Sequence, residues 1–139
     1  MKPGFETFEH GADIGIRGIG RTLEEAFINA AKALFSLMVL NLEEVKPEKK
    51  VTLEVEGENL EELFLEWLNK LLSLAGMENL VFSEFGCQIK DLSLSGWAAG
   101  EPINEEKHEL GEEVKGATYT MLKVEKVNGF WVAQCVVDV

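Results

Sequence analysis

The stretch Asn59–Gly76, NLEELFLEWLNKLLSLAG, decides how this chain is built. Asn59 and Glu62 form a capping pair at its start, because the Asn side-chain oxygen can accept a hydrogen bond from a backbone N–H of the first turn, and Gly76 offers a C-terminal cap. Between them Leu60, Leu63, Phe64, Trp67, Leu68, Leu71, Leu72 and Ala75 recur at three- and four-residue steps, the period of a helix. Leu65 and Leu74 widen the apolar stripe past half the circumference, so the helix must be covered on more than one side. It is expected to be the central core element, in a layer between sheets.

Upstream, Val51, Leu53 and Val55 alternate with Thr52, Glu54 and Glu56, which predicts a strand with one wet face. An earlier helix starts at Leu23 behind a capping box, in which the Thr22 hydroxyl accepts from the Glu25 N–H and the Glu25 carboxylate reaches back to the N–H of Thr22. Leu23, Ala26, Phe27, Ala30, Leu34, Leu37 and Met38 share one face, and the helix is expected to end near Leu40-Asn41. Before it, Ile14 and Ile16 mark a first strand. The glycines of Gly15-Ile16-Arg17-Gly18-Ile19-Gly20 run G-x-x-G-x-G, the reverse of a dinucleotide fingerprint and without its repeated βαβ setting, so they read as a turn and close strand packing.

Downstream the chain is strand-rich. Phe85, Cys87 and Ile89 alternate; Leu92 and Leu94 run to Gly100, where Glu101-Pro102 ends the strand. Residues 101–112 read as a polar loop with His108 in solvent. Thr118 to Val124 is β-branched and aromatic, Val127-Asn128-Gly129-Phe130 signals a type I′ hairpin, and Trp131 to Val137 closes the fold. The order β-α-β-α followed by about four strands is an α+β pattern, with two helices packed against or between mixed or antiparallel sheets.

With 139 residues and 46% hydrophobic content, the chain suits one domain spanning 1–139 with a real core. It has no run of eighteen apolar residues and no apolar leader after Met1-Lys2-Pro3-Gly4, so no membrane association and a cytoplasmic location are expected. The two cysteines, Cys87 and Cys135, lie in apolar runs without metal-ligand spacing and read as buried free thiols. Thirteen basic and 25 acidic residues give a formal charge of −12, which repels phosphates and argues against direct nucleic-acid binding. A basic protein surface or a metal ion is a better partner.

Chemistry concentrates at the two ends. The closing strand Cys135-Val136-Val137-Asp138-Val139 carries one charge, Asp138, next to the last residue. A side-chain carboxylate, a backbone carbonyl and the α-carboxylate of Val139 fall within a residue of each other, and hard oxygens so close together suit Ca²⁺ or Mg²⁺. Asp13 stands in the apolar, Gly-rich Phe8-Glu9-His10-Gly11-Ala12-Asp13-Ile14-Gly15-Ile16. If the ends meet, Asp13 and Asp138 share a site. His10 with Asp13 is only an H-x-x-D pair, while Glu113 and Lys115, two apart, are expected on one side of a strand. No Ser-His-Asp arrangement, nucleophile elbow or Walker loop is present.

The Phe8–Ile16 segment, the helix start Thr22-Leu23-Glu24-Glu25-Ala26-Phe27, the run Asn59 to Asn69, Glu113-Val114-Lys115-Gly116-Ala117-Thr118-Tyr119 and the terminal Asp138-Val139 together resemble the archease family, in order over nearly the whole chain. The resemblance implies an accessory protein of the RtcB-type RNA ligase of tRNA splicing, which promotes guanylylation of the ligase and so permits multiple turnovers. It implies a divalent-metal site, commonly with calcium, at Asp13, Asp138 and Val139. The chain departs from the family at Gly11, where Thr is common, at Asn59 for Asp, at Gly116 for Ala, and at Thr120, where a His is common. Two other readings stand beside it: a free-standing metal-dependent hydrolase using Asp13 and Asp138, and a calcium-stabilised, chaperone-like module.

Overall fold

A computed structural model describes residues 1–139. Strand β1 (Gly4–His10) turns through Gly11-Ala12 into β2 (Asp13–Gly20), followed by α1 (Leu23–Met38), a 3-10 turn (Leu42–Glu44), β3 (Lys49–Glu56) and α2 (Leu60–Glu78). Five strands complete the chain: β4 (Leu80–Lys90), β5 (Ser93–Pro102), β6 (Gly116–Ala117), β7 (Lys123–Val127) and β8 (Phe130–Asp138). One sheet runs β1-β2-β8-β6, with β7 also on β8, and the other runs β3-β5-β4. Every pairing is antiparallel, and the fold is α+β.

The architecture differs from the sequence expectation in an added first strand, in a turn where the Thr118–Val124 strand was expected, and in several boundaries. β1 has no clean alternation, since Phe5 and Phe8 are three apart, and as an edge strand it buries none of its residues fully. The Gly15–Gly20 glycines form no turn; they lie within β2. A Cβ on Gly18 would stand 2.1 Å from the Ala26 carbonyl oxygen and 2.3 Å from the Ala30 nitrogen, and one on Gly20 would stand 2.5 Å from the Ala26 nitrogen. Helix α1 therefore rests its backbone directly on β2, with Ala26 and Ala30, both fully buried, as its contact residues.

The helix termini follow the expected chemistry with shifts. Glu25 N donates to Thr22 Oγ1 at 3.1 Å, but the Glu25 carboxylate accepts from the N–H of Arg21 at 2.7 Å, one residue before Thr22. Glu62 N donates to Asn59 Oδ1 at 2.8 Å as expected. Helix α2 runs past Gly76 and stops at Asn79, which takes the left-handed conformation at φ 56 and donates its N–H to Ala75 O. Asn tolerates that conformation better than most residues. Helix α1 ends at Met38, because Val39 leaves the helix to bridge Leu110.

That bridge changes the status of residues 103–112. Gly111 N donates to Met38 O at 2.9 Å, Glu112 N to Leu37 O at 2.8 Å, and Leu40 N to Glu109 O at 2.8 Å. A helix leaves its last carbonyls without intrahelical partners, and this segment supplies those partners to α1. The expected polar loop is a fixed cap.

The core is a cluster of 26 buried residues drawn from both helices and both sheets. Trp67 on α2 is fully buried, donates its indole N–H to Phe27 O at 3.0 Å, and lies in the layer where the Phe27 and Phe64 rings meet at 5.1 Å. Helix α2 contacts β3, β4 and β5 on one side and β6 and β7 on another, the double coverage its wide apolar stripe required.

The contact of α1 with β2 admits no side chain at position 18. Gly18→Ala should lose about 3 kcal/mol or more, since the added methyl meets backbone rather than a yielding side chain. Urea denaturation checks this; a loss below about 0.5 kcal/mol, the scale of an ordinary surface change, contradicts it.

Candidate functional site

Strand pairing brings the two ends of the chain together. In the β2–β8 register Ile14 faces Val137, and one further step sets Asp13 across from Asp138. Val139 N donates to Asp13 Oδ1 at 3.4 Å, a long bond that fastens the last residue to the start of β2. On the other edge of β8, Gly116 pairs with Asp138 and Ala117 with Val137, while Lys115 N donates to Asp138 O at 2.7 Å. The Asp138 carbonyl that the sequence offered as an oxygen ligand is thus already engaged by one N–H.

Three segments converge here: the β1–β2 turn, the end of β8, and residues 113–117. His10 closes the hairpin opposite Asp13 and is exposed. Gly11 sits at φ 62, a conformation that the Thr common in the resembled family would strain. Glu113 and Lys115 are not in a ladder strand, because pairing with β8 begins only at Gly116; they flank buried Val114, and both are exposed. They make no ion pair with each other, and no basic group lies within 4.0 Å of Asp13, Asp138 or the terminal carboxylate.

Sequence reasoning missed the residue that holds the 113–117 segment in place. Asn69 on α2 accepts from Ala117 N at 2.9 Å and donates to Ala117 O at 3.4 Å, so one carboxamide pairs both backbone groups as a neighbouring strand would. The signal available was a lone amide directly after Trp67-Leu68 within the helix.

Asp13 and Asp138 stand together just past the end of the β2–β8 ladder with no counter-charge, and a hard cation would neutralise them. The donor set fits such an ion in kind, being carboxylate and backbone oxygen with no soft ligand. It is sparse, since no three His, Cys, Asp or Glu side chains gather in a metal-holding group anywhere in the chain. Any ion here would rely on Asp13, Asp138 and the oxygens of Val139, with water completing its shell.

The cysteines do not supply a nucleophile. Burial, helped by the nearby Glu24 charge, pushes the Cys87 thiol up to about 12. Burial also pushes Cys135 up to about 12, against a hydrogen bond from the Thr118 backbone N–H. Both stay protonated near neutrality, and a thiol in that form is a poor nucleophile.

His108 is not solvated as expected but 2% exposed. Its Nδ1 accepts from Asn104 N at 3.0 Å, which leaves the ring proton on Nε2, 3.4 Å from Glu101 Oε1 but without an aligned hydrogen bond. Glu101, itself buried, accepts from Lys107 Nζ at 2.6 and 2.9 Å and from Lys46 N at 2.6 Å. These groups lock the cap of α1 in place and lie apart from the aspartate pair.

A model of the Archease protein family (MTH1598/TM1083) matches residues 5–139. The chain belongs to the archease family. The archease of Pyrococcus furiosus is 46% identical over 140 residues, covering 97% of this chain and 98% of its own. That of Thermococcus kodakarensis is 47% identical over 139 residues, covering 96% and 97%. The solution structure of Methanobacterium thermoautotrophicum protein 1598 superposes with a TM-score of 0.86 at 35% identity, over 98% of this chain and 99% of that one. An archease from Thermotoga maritima, described as a possible chaperone, shares the fold with a TM-score of 0.62 at 20% identity, over 95% and 94%. No helix is long and apolar enough to cross a membrane.

The Glu101 cluster yields a pH dependence. The Lys107 hydrogen bonds, joined by the Lys46 N–H and the Lys107 charge, hold the Glu101 carboxyl below its ordinary 4.5 although burial opposes them. A depressed carboxyl adds stability above its unfolded value that is lost as the pH falls through the folded one. Urea stability of the wild type should therefore drop more steeply below about pH 4.5 than that of Glu101→Gln. Parallel profiles for the two proteins contradict this.

Proposed function

We propose that this protein is a non-catalytic, cytoplasmic activator of an RtcB-type RNA ligase, promoting guanylylation of the ligase and multiple-turnover RNA joining in tRNA splicing. The observation that carries the reading is the uncompensated pair Asp13 and Asp138 at one end of the molecule, in a chain of the archease family. The reading is supported further by exposed Lys115 beside that pair.

An acidic protein docks most readily on a basic groove, and a ligase handling RNA and GTP needs one. Docking should therefore weaken at high salt and compete with RNA. In this reading Asp13, Asp138 and Val139 hold one divalent cation, calcium being the expected ion. When bound, the cation would neutralise the facing aspartates and present a positive charge to an oxyanion. The protein's own groups do the positioning: the Lys115 N–H holds the Asp138 carbonyl, the Val139 N–H holds Asp13, and the Asn69 carboxamide holds the segment bearing Lys115. The Lys115 ammonium, free of any carboxylate partner, is available to a phosphate or to a carboxylate of the ligase.

The test is ligation by the cognate ligase with GTP. Wild type should convert a single-turnover ligase into one that completes many ligations, while ligating nothing alone. Asp138→Asn should lose most of the stimulation together with calcium binding in calorimetry, and Lys115→Ala should lose stimulation while keeping calcium binding. Unchanged ligase turnover with saturating wild type contradicts the proposal. Equal calcium binding by wild type and Asp138→Asn removes the metal site from it.

A further inference from the structure

The turn between β6 and β7 exposes two large apolar groups two residues apart on a backbone held by side-chain and main-chain bonds. Tyr119 is 75% exposed and Met121 is 48% exposed, two of the largest apolar groups the protein leaves in water. Sequence reasoning placed both in a strand running from Thr118 to Val124, where alternate residues would be covered. Instead the chain leaves β6 after Ala117, turns over 118–122, and rejoins β8 at Lys123.

This turn is held rigidly. Thr118 N and Thr118 Oγ1 both donate to Val136 O, at 3.1 and 2.7 Å, and Val136 N donates to Thr120 O at 2.9 Å. Thr120 N donates to Thr118 Oγ1 at 3.2 Å, and Leu122 N to Tyr119 O at 3.3 Å. Gln134, itself buried, donates its amide to Met121 O at 3.1 Å while accepting from Arg17 Nε at 2.9 Å. Met121 pays for this geometry with a left-handed backbone at φ 52, where Asn or Gly would sit without strain. Strained non-glycine residues held by surrounding bonds recur at ligand-contacting sites.

The turn also adjoins the aspartate pair. Its anchor, Val136, lies two residues before Asp138 on β8, a rise of about 7 Å. Exposed aromatic and thioether groups on a backbone held in place, next to a charged patch, are the composition of an interface anchor, since little loop entropy remains to be lost. Asp13 and Asp138, which no basic group of the protein pairs, put negative charge beside that anchor and favour a basic partner surface there.

We propose that Tyr119 and Met121 are the apolar anchor through which this protein docks on the RNA ligase, with the Asp13 and Asp138 end alongside the same contact. The inference rests on the function proposed above. It separates two roles on one end of the molecule: the turn sets affinity for the ligase, and the aspartate end sets what the bound protein does.

Titrating ligase turnover against protein concentration separates these roles. Tyr119→Ser and Met121→Asn should each raise the concentration giving half-maximal stimulation by about 10-fold or more, the scale of a hot-spot truncation, and still reach the wild-type plateau. The thermal midpoint should be unchanged for Tyr119→Ser, and unchanged or higher for Met121→Asn because Asn accepts the left-handed backbone. Half-maximal concentrations equal to wild type for both variants overturn the anchor and leave the proposed function standing. A lowered plateau at unchanged half-maximal concentration also overturns it, placing the turn in activation rather than docking. No stimulation by wild type overturns the proposed function and the ligase as occupant of this surface together.

Discussion

The antiparallel pairing of β2 with β8 is the constraint on which the rest of the molecule depends. It joins residues near the beginning of the chain to its last residues, from Gly20 with Trp131 to Ile14 with Val137. On one face of β2, glycines let α1 lie backbone to backbone against the strand. On the far edge of β8, the short strands β6 and β7 attach on either side of the pinned turn. Without this pairing the aspartates would lie 125 residues apart in sequence with nothing to bring them together.

The cost of this arrangement is electrostatic. Two carboxylates meet where the strands end, and no lysine, arginine or histidine of the protein comes within ion-pair distance of them. Elsewhere the protein answers the same problem differently: buried Glu101 is held by Lys107 and by the Lys46 backbone, and it lies beneath a helix cap rather than at an end of the molecule. The contrast gives the aspartate pair its functional meaning. A structural carboxylate receives its counter-charge from the fold, whereas this pair has none within ion-pair distance, which is why we propose it as the cation site.

The sequence made the helices legible because their signals are local. Thr22 and Asn59 cap as their side chains dictate, and the wide stripe of α2 translated directly into two-sided burial. It misplaced what is decided by distant partners. The end of α1 is set by Leu110 and Gly111, more than seventy residues away, and α2 runs one turn past Gly76 to a cap at Asn79, although Met77 and Glu78 are exposed. Thr118 to Val124 has strand composition, yet bonds to Val136 and Gln134 fold its middle into a turn. The meeting of Asp13 with Asp138 was readable as a consequence if the ends met; which residues would hold the third segment against them was not. Asn69 reveals its role only when α2 and β6 are side by side.

The end formed by β2 and β8 is proposed above as a cation site. A titration of calcium into ¹⁵N-labelled protein, followed by amide chemical shifts, tests it most directly. Calcium bound there should give saturable shifts confined to Asp13, Ile14, Lys115, Gly116, Asp138 and Val139, with the amides of Asn104 to Glu109 unmoved. Shifts centred on the acidic cap around Glu105 and Glu106, or none at millimolar calcium, the weak end of protein calcium sites, would contradict it.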